Sequence, residues 1–311
     1  MGKRKILITG GAGFIGSSLA VKLAEDKRNV ITIVDNLLTG DLNRIPKVDN
    51  VKFIKGDVND NQVISSIFYG NHFDYVFHYA AVVGVKRTIE NPIMVLDDLK
   101  GMRNILDLCK NTSVKRIFFS SSSEVYGEPV ELPQHEYTTP LNSRLPYAIV
   151  KNVGEAFLKS YKQEYDLDYT IFRFFNTYGP LQSKDFVVSK FISAALKNED
   201  ITIYGDGSQT RTFCFVDDNI QACVNAFMKD EVMNDVINIG SDKILTVLEL
   251  AEMIVNVAGS TSKIVHLPPL DEGDMSRRQP DTGKMLQLLR KEPLSLEEGL
   301  KKVIDNPSYF L

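Results

Sequence analysis

Short apolar bursts separated by longer amphipathic stretches dominate the first half of the chain. The bursts fall at Ile6–Ile8, Val30–Val34, Val51–Ile54, Tyr75–His78 and Arg116–Ser120, and such short runs read as parallel strands buried on both faces. Between them, Phe14–Asp26, Asn61–Tyr69 and Pro92–Lys110 carry apolar residues at helical spacing. Asn91-Pro92 marks a helix entry, because proline lacks the N–H that a first turn leaves unused. This alternation predicts an α/β fold with a Rossmann-like, doubly wound parallel sheet.

The pattern then changes. Leu145–Tyr165 predicts a long helix and Tyr169–Phe174 a sixth strand. After Gly179-Pro180 the elements become shorter and more mixed, up to a last helix near Leu296–Ile304. We therefore expect one domain over residues 1–180 and a smaller C-terminal α/β domain over 181–311, lying over the C-terminal ends of the strands. The boundary is soft, with some elements exchanged across it. There is no internal repeat or low-complexity linker.

Composition narrows the picture. With 43% hydrophobic residues in 311, a well-buried core is expected and disorder is not. The net charge of −4, without a basic stripe, argues against a nucleic-acid partner. Cys109, Cys214 and Cys223 are scattered, and no CxxC pair or His/Cys cluster suggests a metal. They read as reduced residues of a cytoplasmic protein. The basic start runs straight into Ile6, so no signal peptide is read, and no apolar run is long enough to cross a bilayer.

Candidate chemistry begins after the first strand. Gly10, Gly13 and Gly16 stand at GxxGxxG spacing where a strand meets a helix. The first allows a tight turn, the second lets backbone approach a pyrophosphate, and the third lets helix and strand pack closely. The free N–H groups of the helix start, from Phe14 and Ile15 on, suit an anion. Asp35 ends the second strand, where a carboxylate holds ribose hydroxyls and repels a 2′-phosphate. Asn36 and Leu37 add no arginine, so NAD is favoured over NADP. Asp57-Val58 after the third strand and Ala80 after the fourth complete the candidate cofactor set.

The fifth strand ends in a run of serines, Ser120 to Ser123, followed by Glu124-Val125-Tyr126-Gly127. Downstream, Tyr147 and Lys151 are one helical turn apart and share a face. A free tyrosine, with a pKa of about 10, is a poor base at neutral pH. A nearby ammonium stabilises the phenolate, and a serine hydroxyl orients the substrate hydroxyl.

With these motifs the chain resembles the extended short-chain dehydrogenase/reductases that modify nucleotide sugars, over essentially its whole length. The resemblance implies Ser122, Tyr147 and Lys151 as the catalytic triad. Asn176, in Phe175–Pro180, is implied to contact a diphosphate, as are Arg211 and Arg278. The segment from Ile203-Tyr204-Gly205 to Arg211 is implied to hold the nucleotide. Two guanidiniums and an amide suit a diphosphate. The C-terminal domain would then bind the nucleotide sugar, a UDP-sugar being favoured, and family members commonly form homodimers.

Such enzymes begin by oxidising a sugar hydroxyl, usually at C4. Related dehydratases carry Asp-Glu before Val-Tyr-Gly, whereas this chain has Ser123-Glu124. That pair, Arg144 three residues before Tyr147, and Arg211–Asp218 resemble UDP-glucuronate decarboxylases. Glu124 would share the serine's side if the strand continued that far. Thr88 stands where those enzymes carry a tyrosine, with Lys86 and Arg87 near a carboxylate's expected place. A 4-epimerase, a 4-dehydrogenase and a non-catalytic NAD-binding regulatory protein stay open as alternatives.

Overall fold

The computed structural model describes residues 2–268 and 277–306. Contacts divide the chain into two compact units, each assembled from separate stretches. The first contains Met1–Val125, Ser143–Arg173 and Ile220–Ile237; the second contains Tyr126–Asn142, Phe174–Asn219 and Asn238–Leu311.

The first unit is built on strands β1 (Arg4–Thr9), β2 (Asn29–Asp35), β3 (Val51–Lys55), β4 (Tyr75–His78), β5 (Arg116–Ser122) and β6 (Asp168–Phe174). With the strand Asp235–Ile239 they form a seven-stranded sheet in the order Asp235–Ile239, β6, β5, β4, β1, β2, β3. The pairs β1–β2, β1–β4, β2–β3 and β4–β5 are parallel. Ile6, Leu7 and Ile8 are fully buried, as expected of a strand covered on both faces. Phe77, Phe118 and Phe172 stack in a row across β4, β5 and β6, with centroids 4.4 and 6.1 Å apart and planes 12° apart at both steps.

Helices α1 (Phe14–Ala24), α2 (Asn61–Asn71), α3 (Val85–Glu90), α4 (Pro92–Asn111) and α5 (Pro146–Tyr165) connect these strands. Proline at the first turn of both α4 and α5 fixes φ where no donor is needed. The crossover from β3 through α2 to β4 passes over β1 and β2, so the strand order reverses between β1 and β4. Ligands of open α/β sheets bind beyond the strand ends at such a point.

The second unit has its own core, including Phe191, Ile192, Leu250, Ile254 and Leu300. Ile201–Tyr204 pairs in parallel with Ile264–Leu267, and Thr210–Thr212 pairs antiparallel with Ile244–Thr246. Capping boxes at Thr246 and Ser295 start the helices Val247–Ala258 and Leu296–Ile304.

Candidate active site

At the reversal point the glycine turn leaves no room for side chains. Gly10 adopts a φ of 68°, and a Cβ there would lie 2.6 Å from the Ala80 nitrogen. A Cβ on Gly16 would lie 2.4 Å from the Gly10 oxygen. Gly13 caps α1 without a side-chain hydrogen bond, which leaves the first-turn N–H groups of Phe14 and Ile15 to an external anion. A cradle of backbone that any added Cβ would fill, facing a helix start, fits the pyrophosphate of a dinucleotide.

Asp35 is 8% exposed and sits in the same cradle. Its Oδ2 accepts from the Ala12 N–H at 3.0 Å and its Oδ1 from the Leu37 N–H at 2.8 Å. Asn36 donates to Asp57 Oδ2 at 3.0 Å, which ties the ends of β2 and β3 together beside the buried Val58. Like charges about 4 Å apart near a protein surface repel by roughly 4 kcal/mol. NAD is therefore expected to bind more than about ten-fold tighter than NADP. Equal affinities in a binding titration would count against Asp35 as the discriminator.

The candidate reacting groups lie at the end of β5 and on α5. The strand ends at Ser122, and Ser123–Tyr126 forms a 3₁₀ turn. Glu124 thus leaves the strand rather than continuing it on the serine's side. Its N–H donates to Ser122 Oγ at 3.2 Å, a bond of the turn. Ser123 is buried. On α5, Lys151 Nζ donates to Ser120 O at 2.6 Å and lies 5.7 Å from the centre of the Tyr147 ring. Burial pushes the lysine down to about 8, with Asp98 pulling the other way. Arg144 precedes the helix and is exposed. Arg87 donates to the Val83 carbonyl at 2.8 Å. The Lys86 side chain lies outside the described residues.

Several groups beside these residues are not apparent from the sequence reading. His78 ends β4, where its Nδ1 meets Thr9 Oγ1 at 2.8 Å. Burial, helped by the Lys151 charge, pushes it down to about 3, so it is neutral. Ser121 donates to Glu155 Oε1 at 2.6 Å, and Arg173 binds both oxygens of that carboxylate at 2.9 and 2.6 Å. Lys151 and Glu155, one turn apart, thereby fasten α5 to Ser120 and Ser121, directly ahead of Ser122. Spacing offers a signal: Ala148, Lys151, Glu155 and Leu158 follow the inward stripe of α5, so two charges occupy core positions.

The second unit carries the remaining candidates. Asn176, at a φ of 30°, donates through Nδ2 to the Thr212 carbonyl at 2.9 Å. Arg211 is mostly buried on its strand and donates to the Thr210 carbonyl at 2.8 Å. Arg278 lines a cavity of about 320 Å³ with Leu132, Thr210, Ile244, Arg277 and Gln279. Tyr204 ends its strand exposed, with the Lys190 ammonium 5.6 Å from its ring centre. Neither Tyr204 nor Asn176 lines that cavity.

The model of the NAD dependent epimerase/dehydratase family matches residues 6–240. The chain belongs to that family. It is an enzyme of the NAD-dependent, short-chain dehydrogenase type. A Bacillus cytotoxicus UDP-N-acetyl-alpha-D-glucosaminuronate decarboxylase is 37% identical, covering 97% of each chain. UDP-glucuronic acid decarboxylase 1 of Danio rerio is 36% identical over 97% of this chain and 72% of that protein. Among solved structures, a Thermotoga maritima UDP-glucose 4-epimerase with UDP-glucose superposes with a TM-score of 0.91, at 33% identity and 97% coverage of both chains. No helix among the described residues is long and apolar enough to cross a membrane, and no metal-binding cluster of His, Cys, Asp or Glu occurs among them.

Proposed function

We propose that this family member decarboxylates a UDP-hexuronate, UDP-glucuronate foremost, through a 4-keto sugar. The observation that carries the reading is the arrangement of Ser122 and Glu124 at the end of β5 with Arg144 just ahead of the Tyr147/Lys151 helix. NAD, when bound, would supply the hydride acceptor, and afterwards the hydride donor, for C4 of the sugar. The glycine turn, Asp35, Asn36, Asp57 and Val58 would hold it. Tyr147 takes the C4 hydroxyl proton, Lys151 stabilises the phenolate, and Ser122 orients the hydroxyl. The resulting ketone accepts the electron pair as the C5–C6 bond breaks and CO₂ leaves. Glu124 then delivers a proton to C5, or holds a sugar hydroxyl while another group does so. Arg144 offers a forked donor to the C6 carboxylate, offsetting its desolvation. Asn176, Arg211 and Arg278 suit the diphosphate, and Tyr204 the nucleotide.

UDP-glucuronate is expected to yield CO₂ and UDP-xylose. Arg144→Ala should slow that conversion by about ten-fold or more, the weight of a charge-assisted hydrogen bond, while oxidation of an uncharged UDP-sugar changes little. Product masses check both statements. A second reading, 4-epimerisation, is supported by Thr88 in place of the decarboxylase tyrosine and by the likeness to a 4-epimerase structure. Inversion of UDP-glucose at C4 with no CO₂ from UDP-glucuronate selects it.

A homodimer formed through α4 and α5 belongs to this reading. Ile93 is 70% exposed, and Met94, Leu96 and Ile149 are exposed on the same pair of helices. A cytoplasmic setting is supported by three buried cysteines that form no disulfide.

A further inference from the structure

The proton-transfer reading leaves one carboxylate beside the site without a role. Along α4, Val95, Asp98, Met102 and Ile105 follow one helical stripe, and the three apolar members are buried. Asp98 therefore faces inward, where a leucine would otherwise be expected. Its Oδ2 accepts from the Val82 N–H at 2.8 Å, which fixes the carboxylate against the segment after β4.

Beyond the carboxylate lies a cavity of about 10 Å³, lined by Asp98, Lys151 and His78 with the apolar Met102, Phe119 and Val150 among its walls. A space of this size is close to the least that holds one water. Lys151 is 3% exposed, and the acceptors of its ammonium are the neutral Ser120 carbonyl at 2.6 Å and hydroxyl at 3.4 Å. A buried ammonium with only neutral acceptors loses its proton readily. His78, on β4, is neutral and supplies no counter-charge. Among the described residues, Asp98 is the only acid lining the cavity.

We propose that Asp98 is a positioning residue for proton transfer, the counter-charge that keeps the Lys151 ammonium protonated across this cavity. The other titratable groups that act on the pair are His78 on β4 and, through their charge, Asp97 on α4 and Asp57 after β3, and the Tyr147 ring lies 5.7 Å from the Lys151 ammonium. Burial lowers the lysine, and Asp98 opposes that fall. Burial also raises the carboxyl, with Asp57 and Asp97 adding to the rise, while the Val82 N–H and Lys151 hold it down. The charged pair is the state in which each group offsets the other's desolvation.

The proposal rests on the Tyr147/Lys151 reading and is tested apart from it. In NAD-loaded protein with ¹³C-labelled lysine, the Lys151 titration is followed by NMR and assigned by its loss in Lys151→Met. Asp98→Asn keeps the acceptor for the Val82 N–H but removes the charge. It is expected to lower the Lys151 midpoint by roughly one pH unit. The alkaline limb of UDP-glucuronate turnover should move down with it, and Asp98→Glu should restore both. An unchanged midpoint in Asp98→Asn overturns the proposal. So does a loss of turnover that is equal at all pH values with the midpoint unmoved, since that marks a packing role. Full turnover by Tyr147→Phe overturns the underlying reading instead and leaves the Lys151 titration to decide Asp98 by itself.

Discussion

Tyr147→Phe is expected to lose about 10²–10⁴-fold in kcat, the usual contribution of a positioned acid–base group, while NAD affinity stays within about two-fold. The substitution removes only the phenolic oxygen. The ring remains beside Val82, Val95, Leu99 and Val150, so packing of α5 on α4 is kept. Lys151 remains bonded to Ser120. A buried phenol without a nearby cation would ionise only well above neutral pH. In the proposed mechanism the ammonium one turn away makes the oxygen a usable base, and the substitution removes that oxygen. Single-turnover reduction of NAD by a UDP-sugar, followed by absorbance, separates this step from product release. A variant that reduces NAD at near wild-type rate would remove Tyr147 from the role of base.

Glu155→Ala carries the second large effect, on stability. The side chains of Arg173 and Glu155 are 2% and 1% exposed, so the pair is almost wholly out of water. Removing one member of such a pair costs about 3–5 kcal/mol, because the other charge stays buried without its counter-ion. Ser121 would lose its acceptor as well. For a chain of this class the melting temperature should fall by roughly 6–20 °C. Replacing both members at once, as Glu155→Met with Arg173→Leu, should recover most of the loss, since an apolar pair of similar volume avoids the desolvation. A thermal scan of the two variants checks this. A fall of less than about 2 °C in Glu155→Ala would mean that the carboxylate is not the charge that holds Arg173.

Legibility of the sequence followed the range of the interactions involved. Ile6–Ile8 and Tyr75–His78 stood out because a strand buried on both faces must be apolar throughout. The start of α4 was marked by Pro92, and the glycine turn by a local conformation that other residues resist. Tyr147 and Lys151 were found together because one helical turn brings them together. Longer-range facts were hidden. α3 spans only Val85–Glu90 and has too few residues to show a period. The strand Asp235–Ile239 looks like any other short apolar run, and nothing local says that it pairs with β6. Glu124 leaves the strand through a turn bond to Ser122, which spacing alone does not reveal. Arg173 resembles a surface charge until β6 is laid beside β5, whereas Glu155 already stands on the inward stripe of α5.

The sheet of the first unit is finished by a segment made late. β6 is an interior strand only because Asp235–Ile239 lies on its far side. In chain order, sixty residues separate the end of β6 at Phe174 from that last strand, and residues 174–219 belong to the other unit. During synthesis from the N-terminus, β6 therefore emerges with its outer row of N–H and C=O groups unpaired. An open strand edge is a template for pairing with another chain. The nascent protein must carry that edge until the final strand arrives, so the order of assembly, and not only the finished contacts, governs whether the molecule escapes aggregation.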